Sequence, residues 1–171
     1  MIAKTQRILL REFGPDDLDD IHALMSDPQV MAFSLKGPYT REDSEAFLRR
    51  CRNSYRERGM GLWALVHRED SVLFGYCGFF FQVVDGVDEV ELGYRLVPAY
   101  WHRGLASEAA AACRDLGFQQ FGLPRLISLI EPANLPSARV AQRIGMYLAK
   151  RTQFKGVTAD VYAIEKPGEP I

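Results

Sequence analysis

The chain has 171 residues, of which 47% are apolar and 25% charged, with a formal net charge of -1. That length buries the core of one domain, and the composition argues against a disordered protein. The near-neutral charge argues against a nucleic-acid partner, and no apolar run approaches the roughly 20 residues that cross a bilayer.

The opening Met1–Arg7 lacks the apolar stretch of a secretory leader, so a cytoplasmic location is expected. Cys51, Cys77 and Cys113 are odd in number and have no metal-ligand spacing, so they read as reduced packing residues. No metal site is expected. No linker or repeat divides the chain, and residues 1–171 read as a single domain with a loose tail at 166–171.

The first predicted strand is Arg7 to Phe13. Gly14-Pro15-Asp16-Asp17 then starts a helix, since proline suits the first turn and acids favour its positive end. Leu18, Ile21, Leu24 and Met25 carry its apolar stripe, and Asp27-Pro28 stops it. Thr40-Arg41-Glu42-Asp43 resembles a capping box, opening a second helix that ends near Gly59. Gly61 to His67, Val72 to Val84 and Asp88 to Val97 read as an antiparallel meander, with Asp85-Gly86 as a hairpin turn. Gly104 to Gln120 is an alanine-rich helix, followed by a strand at Arg125 to Glu131 and a short helix at Ser137 to Ile144. Met146 to Phe154 and Val157 to Glu165 close the chain as two strands. The expected fold is α/β, one twisted mixed sheet of seven strands with helices on both faces.

The chemistry concentrates where the meander meets the third helix. In Pro98 to Glu108 a strand ends, a tight turn follows and a helix begins. The first N–H groups of a helix have no internal partners and lie at its positive end, which suits a phosphate. Gly104 lets a ligand approach the backbone, Ala106 keeps the route open, and Arg103 and Ser107 add donors.

Trp101-x-x-Gly104-x-Ala106 resembles the pyrophosphate-binding signature of the GNAT superfamily of acetyl-CoA-dependent N-acyltransferases. Four further stretches resemble the ribosomal-protein-alanine N-acetyltransferase (RimJ/RimL-like) branch of that superfamily. They are Thr5 to Arg11, Leu92 to Leu96 with Pro98 and Tyr100-Trp101, Gly104 to Ala109, and Asn134-x-x-Ser137 with Arg143-Ile144-Gly145-Met146. Trp101 stands where the superfamily has Gln or Arg, and Met146 replaces a common Phe. Ala141 falls where many members carry a tyrosine proposed as general acid.

The resemblance implies acetyl-CoA as co-substrate and direct attack by a primary amine. It implies a strand bulge near Leu96 and Val97 offering backbone groups to the pantetheine, and a pyrophosphate turn at Arg103, Gly104, Leu105, Ala106 and Ser107. Asn134 would bond the pantetheine or cap a helix, and Ser137 would sit near the sulfur. Met31, Phe33, Tyr39 and Trp63 are the candidate acceptor-site residues. The acceptor ammonium must lose a proton, and Glu91 and Glu89 share one face of a strand as candidate bases, with a water chain as the alternative. His67, at a strand end, is expected to be exposed.

The implied acceptor is a protein or peptide N-terminus; a small-molecule amine is the alternative, and a non-catalytic acyl-CoA sensor is a third reading. A Rossmann domain is set aside because no Gly-x-Gly-x-x-Gly follows the first strand. Exposed strand edges leave room for a homodimer.

Overall fold

Residues 1–168 are described by the computed structural model. The strands are β1 (Ala3–Lys4), β2 (Ile8–Arg11), β3 (Leu62–His67), β4 (Leu73–Val84), β5 (Val87–Leu96), β6 (Arg125–Ile130), β7 (Tyr147–Phe154) and β8 (Val157–Glu165). The helices are α1 (Leu18–Ser26), α2 (Arg41–Arg58), α3 (Leu105–Gln119) and α4 (Leu135–Arg143). The strands form one eight-stranded sheet in the order β1-β2-β3-β4-β5-β6-β8-β7. All neighbours are antiparallel except β5 and β6, which α3 connects as a parallel pair. One strand more than expected is present, because Ala3 and Lys4 fold back on Leu10 and Leu9. The predicted loose tail lies outside the described residues from 169 on; before that, the Lys166 N–H donates to the Pro124 carbonyl at 2.9 Å.

Helices cover both faces of the sheet. Ile21, Leu24 and Met25 of α1 pack with Phe47, Leu48 and Cys51 of α2 against Leu62, Ala64, Leu73 and Tyr76. On the other face Leu105, Ala109, Ala110 and Cys113 of α3 pack with α4 residues against Trp63, Leu65, Phe74, Cys77 and Phe79. Alternation explains the split in β3, where successive side chains take opposite faces. In β4 the phase changes at a bulge: Leu65 pairs Gly75 and Val66 pairs Leu73, leaving Phe74 as the extra residue. All three cysteines are buried and free.

Local chemistry sets the helix ends as expected. The Asp43 N–H donates to Thr40 Oγ1 at 3.2 Å and the Thr40 N–H to Asp43 Oδ2 at 2.9 Å, closing the capping box of α2. Just before it, the Tyr39 N–H donates to the Met25 carbonyl at 2.8 Å, tying the end of the segment 27–39 back to α1.

Candidate active site

The site begins where β5 and β6 stop pairing. Their only register pair is Glu91 with Ile127. One step on, a side chain replaces the ladder: buried Ser128 donates through Oγ to the Leu92 carbonyl at 2.7 Å. Beyond it β5 continues to Leu96 with no further strand partner on that side among the described residues, and a cleft of about 550 Å³ opens beside it. In the β4–β5 ladder, alternate residues of β5 turn their peptide groups toward β4 and toward β6. The Val97 N–H donates to Phe74 at 2.8 Å, so the peptide groups of Leu92, Tyr94 and Leu96 face the open side.

This geometry corrects the expectation for Val97. Its N–H is used by Phe74, and its carbonyl accepts from the Tyr100 N–H at 3.0 Å. The Leu96 carbonyl accepts from Trp101 Nε1 at 2.8 Å, which leaves only the Leu96 N–H free. The bulge expected at Leu96 and Val97 is absent from the ladder with β4, which runs unshifted from Val84 and Val87 to Gly75 and Leu96. Trp101 thus serves the turn: its indole ties the strand end to the loop that follows.

That loop holds His102 at φ 57 and Gly104 at φ 75, two left-handed residues around Arg103. Gly104 is the N-cap of α3, and the first intrahelical bond runs from the Glu108 N–H to its carbonyl at 3.1 Å. The N–H groups of Leu105, Ala106 and Ser107 therefore have no helical partner. The Leu105 side chain is buried in the core, and Ala106 packs against its edge. Ser107 Oγ is buried and has no hydrogen-bond partner among the described residues. The Arg103 guanidinium lies 5.0 Å from the Tyr100 ring centre, and its carbonyl accepts from Arg7 Nη1 at 2.8 Å. A carboxylate in this first turn would repel an anion, but Glu108 is occupied. It accepts from Thr5 Oγ1 at 2.6 Å, the Arg7 N–H at 2.9 Å and Arg7 Nε at 2.7 Å. Burial works against its charge, yet these bonds hold the carboxyl below its ordinary range. The turn keeps free donors and little net negative charge, and it fits a pyrophosphate.

Across the opening, Asn134 caps α4, accepting from the Ser137 N–H at 3.3 Å. Ser137 lines the cleft, and its carbonyl accepts from the Tyr94 hydroxyl at 2.7 Å. Tyr94 was not anticipated in the sequence. Burial raises its hydroxyl further above the ordinary phenol range, and its proton is already committed, so it orients α4 against β5. Ala141 is fully buried and carries no polar group to the cleft.

The two candidate bases separate. Glu91 lines the cleft and accepts from Gln82 Nε2 at 3.0 Å. Glu91 is partly buried, and this desolvation pushes its pKa up to about 7, against the opposing pull of Gln82, the Leu129 backbone, Lys155 and Arg95. Glu89 lies outside the cleft lining, with both oxygens 3.3 Å from Arg125 Nε. It belongs to an ion-pair cluster with Arg125 and Glu165 at the rim of the sheet.

The predicted acceptor residues also divide. Phe33 and Tyr39 line the cleft. Met31 does not; it is core under α1 and α2, 2% exposed. Trp63 is fully buried on the α3 face, stacked on Phe121 at 5.9 Å, and takes no part in the lining. Phe80 shares the cleft face with Glu91. Its ring lies over Gly93, where a β-carbon would come within 2.5 Å of it. His67 is buried, packed against Phe74 and Tyr100, because the loop carrying Asp70 folds over it.

Residues 7–147 match the family described as the acetyltransferase (GNAT) domain. The chain belongs to the GNAT family. It is 34% identical to the N-acetyltransferase YnaD of Bacillus subtilis strain 168, over 83% of this chain and 80% of that protein. Its fold matches the GNAT-family acetyltransferase from Bacillus anthracis at TM-score 0.79 and 29% identity, covering 95% of this chain and 97% of that one. An acetyltransferase from Agrobacterium tumefaciens str. C58 matches at TM-score 0.82 and 28% identity, covering 95% and 93%. More distant structures, at 13–20% identity, share the fold alone; they include aminoglycoside, spermidine and ribosomal-protein acetyltransferases. This GNAT protein is an N-acetyltransferase, an enzyme whose family joins acetyl-CoA to an amine acceptor. No helix among its described residues is long and apolar enough to cross a membrane.

Proposed function

We propose that the protein acetylates an α-amine held in the cleft beside β5, with Glu91 as the base that takes the ammonium proton. The observation that carries this reading is a partly buried carboxyl that lines the cleft, with its pKa raised to about 7. A base is most effective when its pKa lies near working pH. It also suits an α-amine, which ionises near 8, better than a lysine amine near 10.4. A protein or peptide N-terminus is therefore the favoured acceptor class, and small-molecule amines are the second.

Acetyl-CoA supplies an acetyl group activated as a thioester. In this reading the N–H groups of Leu105, Ala106 and Ser107, with Ser107 Oγ and the Arg103 guanidinium, hold its pyrophosphate. The Leu96 and Tyr94 peptide groups hold the pantetheine, and a free N–H on this edge stabilises negative charge on the reacting oxygen. Asn134 fixes the start of α4, so that Ser137 faces the sulfur. Glu91 receives its proton directly or through water, and Glu89 has no part in the chemistry. The exposed edge at Tyr147 and Leu148 of β7 is where two copies would pair.

The test is CoA release from acetyl-CoA across α-amines and lysine-type amines, with the native chain and Glu91→Gln. Turnover on α-amines that collapses in the variant, with acetyl-CoA binding retained, supports the reading. Unchanged turnover in the variant removes Glu91 from it.

A further inference from the structure

The acceptor side of the cleft holds more positive charge than an amine requires. Lys36, Arg50, Arg95 and Lys155 line it, against Glu91 and Glu131. Lys36 is paired with Asp43, Lys155 lies over the Phe154 ring at 5.2 Å, and Arg50 is exposed on α2. Arg95 differs from all three. It is partly buried, on the same face of β5 as Glu91, and has no carboxylate within 4.0 Å among the described residues. Its Nη1 donates to the sulfur of Met31 at 2.9 Å, a weak acceptor for a guanidinium. Arginines withdrawn from water are ordinarily paired. Beside it, paired with Arg95 in the ladder, stands Tyr76. Tyr76 is 3% exposed and lines the cleft, and its hydroxyl has no protein partner among the described residues.

We infer that the acceptor amine also carries a carboxylate, received by the guanidinium of Arg95 with the Tyr76 hydroxyl beside it. This rests on the reading of the cleft as the amine site. A planar guanidinium offers two parallel N–H donors that match the two oxygens of a carboxylate, and the anion replaces a thioether contact of little strength. Glu91 and Arg95 are four residues apart on one strand face, about 13 Å between α-carbons at the ordinary rise. They sit at two ends of one acceptor: the carboxyl meets the amine, and the guanidinium meets the anion. The same surplus of positive charge repels polycations such as polyamines and aminoglycosides.

The experiment measures CoA release by the full chain on matched acceptors. These are amino acids and their carboxamides, peptides with Glu or Gln as second residue, and spermidine. In the native protein each acid should exceed its amide in kcat/KM by about 10- to 100-fold, mainly through KM. Arg95→Gln should lower the acids to the level of their amides, and Arg95→Lys should recover part of the gap. Hydroxy acids, which keep the carboxylate and lack the amine, should compete with the acceptor in the native protein and not in Arg95→Gln. That competition needs no variant to be decisive, should Arg95→Gln fail to fold. Preference for free amino acids or for acidic peptides identifies the source of the carboxylate; either supports the assignment. Equal use of acid and amide, a gap that survives Arg95→Gln, or preference for spermidine overturns it while leaving amine acetylation standing. Absence of CoA release from every acceptor overturns both.

Discussion

Glu89 and Glu91 stand two residues apart on one face of β5, yet the two ends of that short stretch are built for different tasks. At Glu89 the side chain meets a cation supplied by β6. Arg125 lies opposite, and the carboxylate is neutralised at the rim. At Glu91, whose backbone pairs with Ile127 of β6, the side-chain partner is the neutral amide of Gln82. The same residue type on the same face is ion-paired in one place and lines the cleft without a cation partner in the other. The difference lies in what the neighbouring strand supplies. Where β6 brings a cation, the charge is stabilised; where the side-chain partner is a neutral amide and burial removes part of the water, the neutral acid is favoured.

The comparison can be broken by experiment, and the largest effect is expected at Glu91. Glu91→Gln should lower kcat/KM by about 100- to 10,000-fold, the usual worth of a general base, and remove the limb near 7 from the pH–rate profile. A profile that keeps this limb in the variant would assign it to another group. Next in size is Gly104→Ala, which forces a side chain into φ 75. It should cost about 1–2 kcal/mol of stability by thermal melting and raise KM for acetyl-CoA by about 10-fold, sparing kcat.

A third test uses stability. The folded chain holds the Glu91 proton up to about 7, while the unfolded chain releases it in the ordinary carboxyl range. Between those values the folded state binds the extra proton, so this group's contribution to stability falls as pH rises and is lowest above about 7. Glu91→Gln removes that cost. The variant should melt higher than the native protein at about pH 8, and the difference should shrink toward about pH 4. A variant less stable at both pH values would contradict this account of the burial. Asn134→Ala should cost about 1 kcal/mol through loss of the α4 cap. The smallest change is expected from Glu89→Gln: less than about 1 kcal/mol, as for partly exposed pairs, with kcat unmoved. A large kcat effect there would erase the distinction between the two carboxylates.

Much of the fold was readable from local signals. The Thr40 and Asp43 box, the Asp85-Gly86 turn, and the glycine between a strand and an alanine-rich helix each act over a few residues, so their spacing in the chain is their spacing in space. The glycine turn that opens α3 was legible for that reason, as was the cap of α4 by Asn134. The two-residue β1 was not, because so short a strand has no periodicity and exists only through its partner β2.

The failures share a cause. Met31 and Trp63 are large apolar residues near a site, and nothing local says whether such a residue lines a cleft or fills the core behind it. The partners that occupy the Val97 peptide groups, Phe74 and Tyr100, lie across a ladder and around a turn, where local sequence does not show them. His67 was expected in solvent because the loop that covers it is held from a different element, through Asp70 and Tyr100. By itself the sequence determined the order of the longer elements, the helix caps and the turns, including the glycine turn ahead of α3, since all of these are short-range interactions. Only the tertiary structure decided which carboxylate is ion-paired and which faces the cleft, and that Arg95 reaches the cleft without an acid. A charge is tuned by the groups that surround it in space, and those come from strands and helices far apart in the chain.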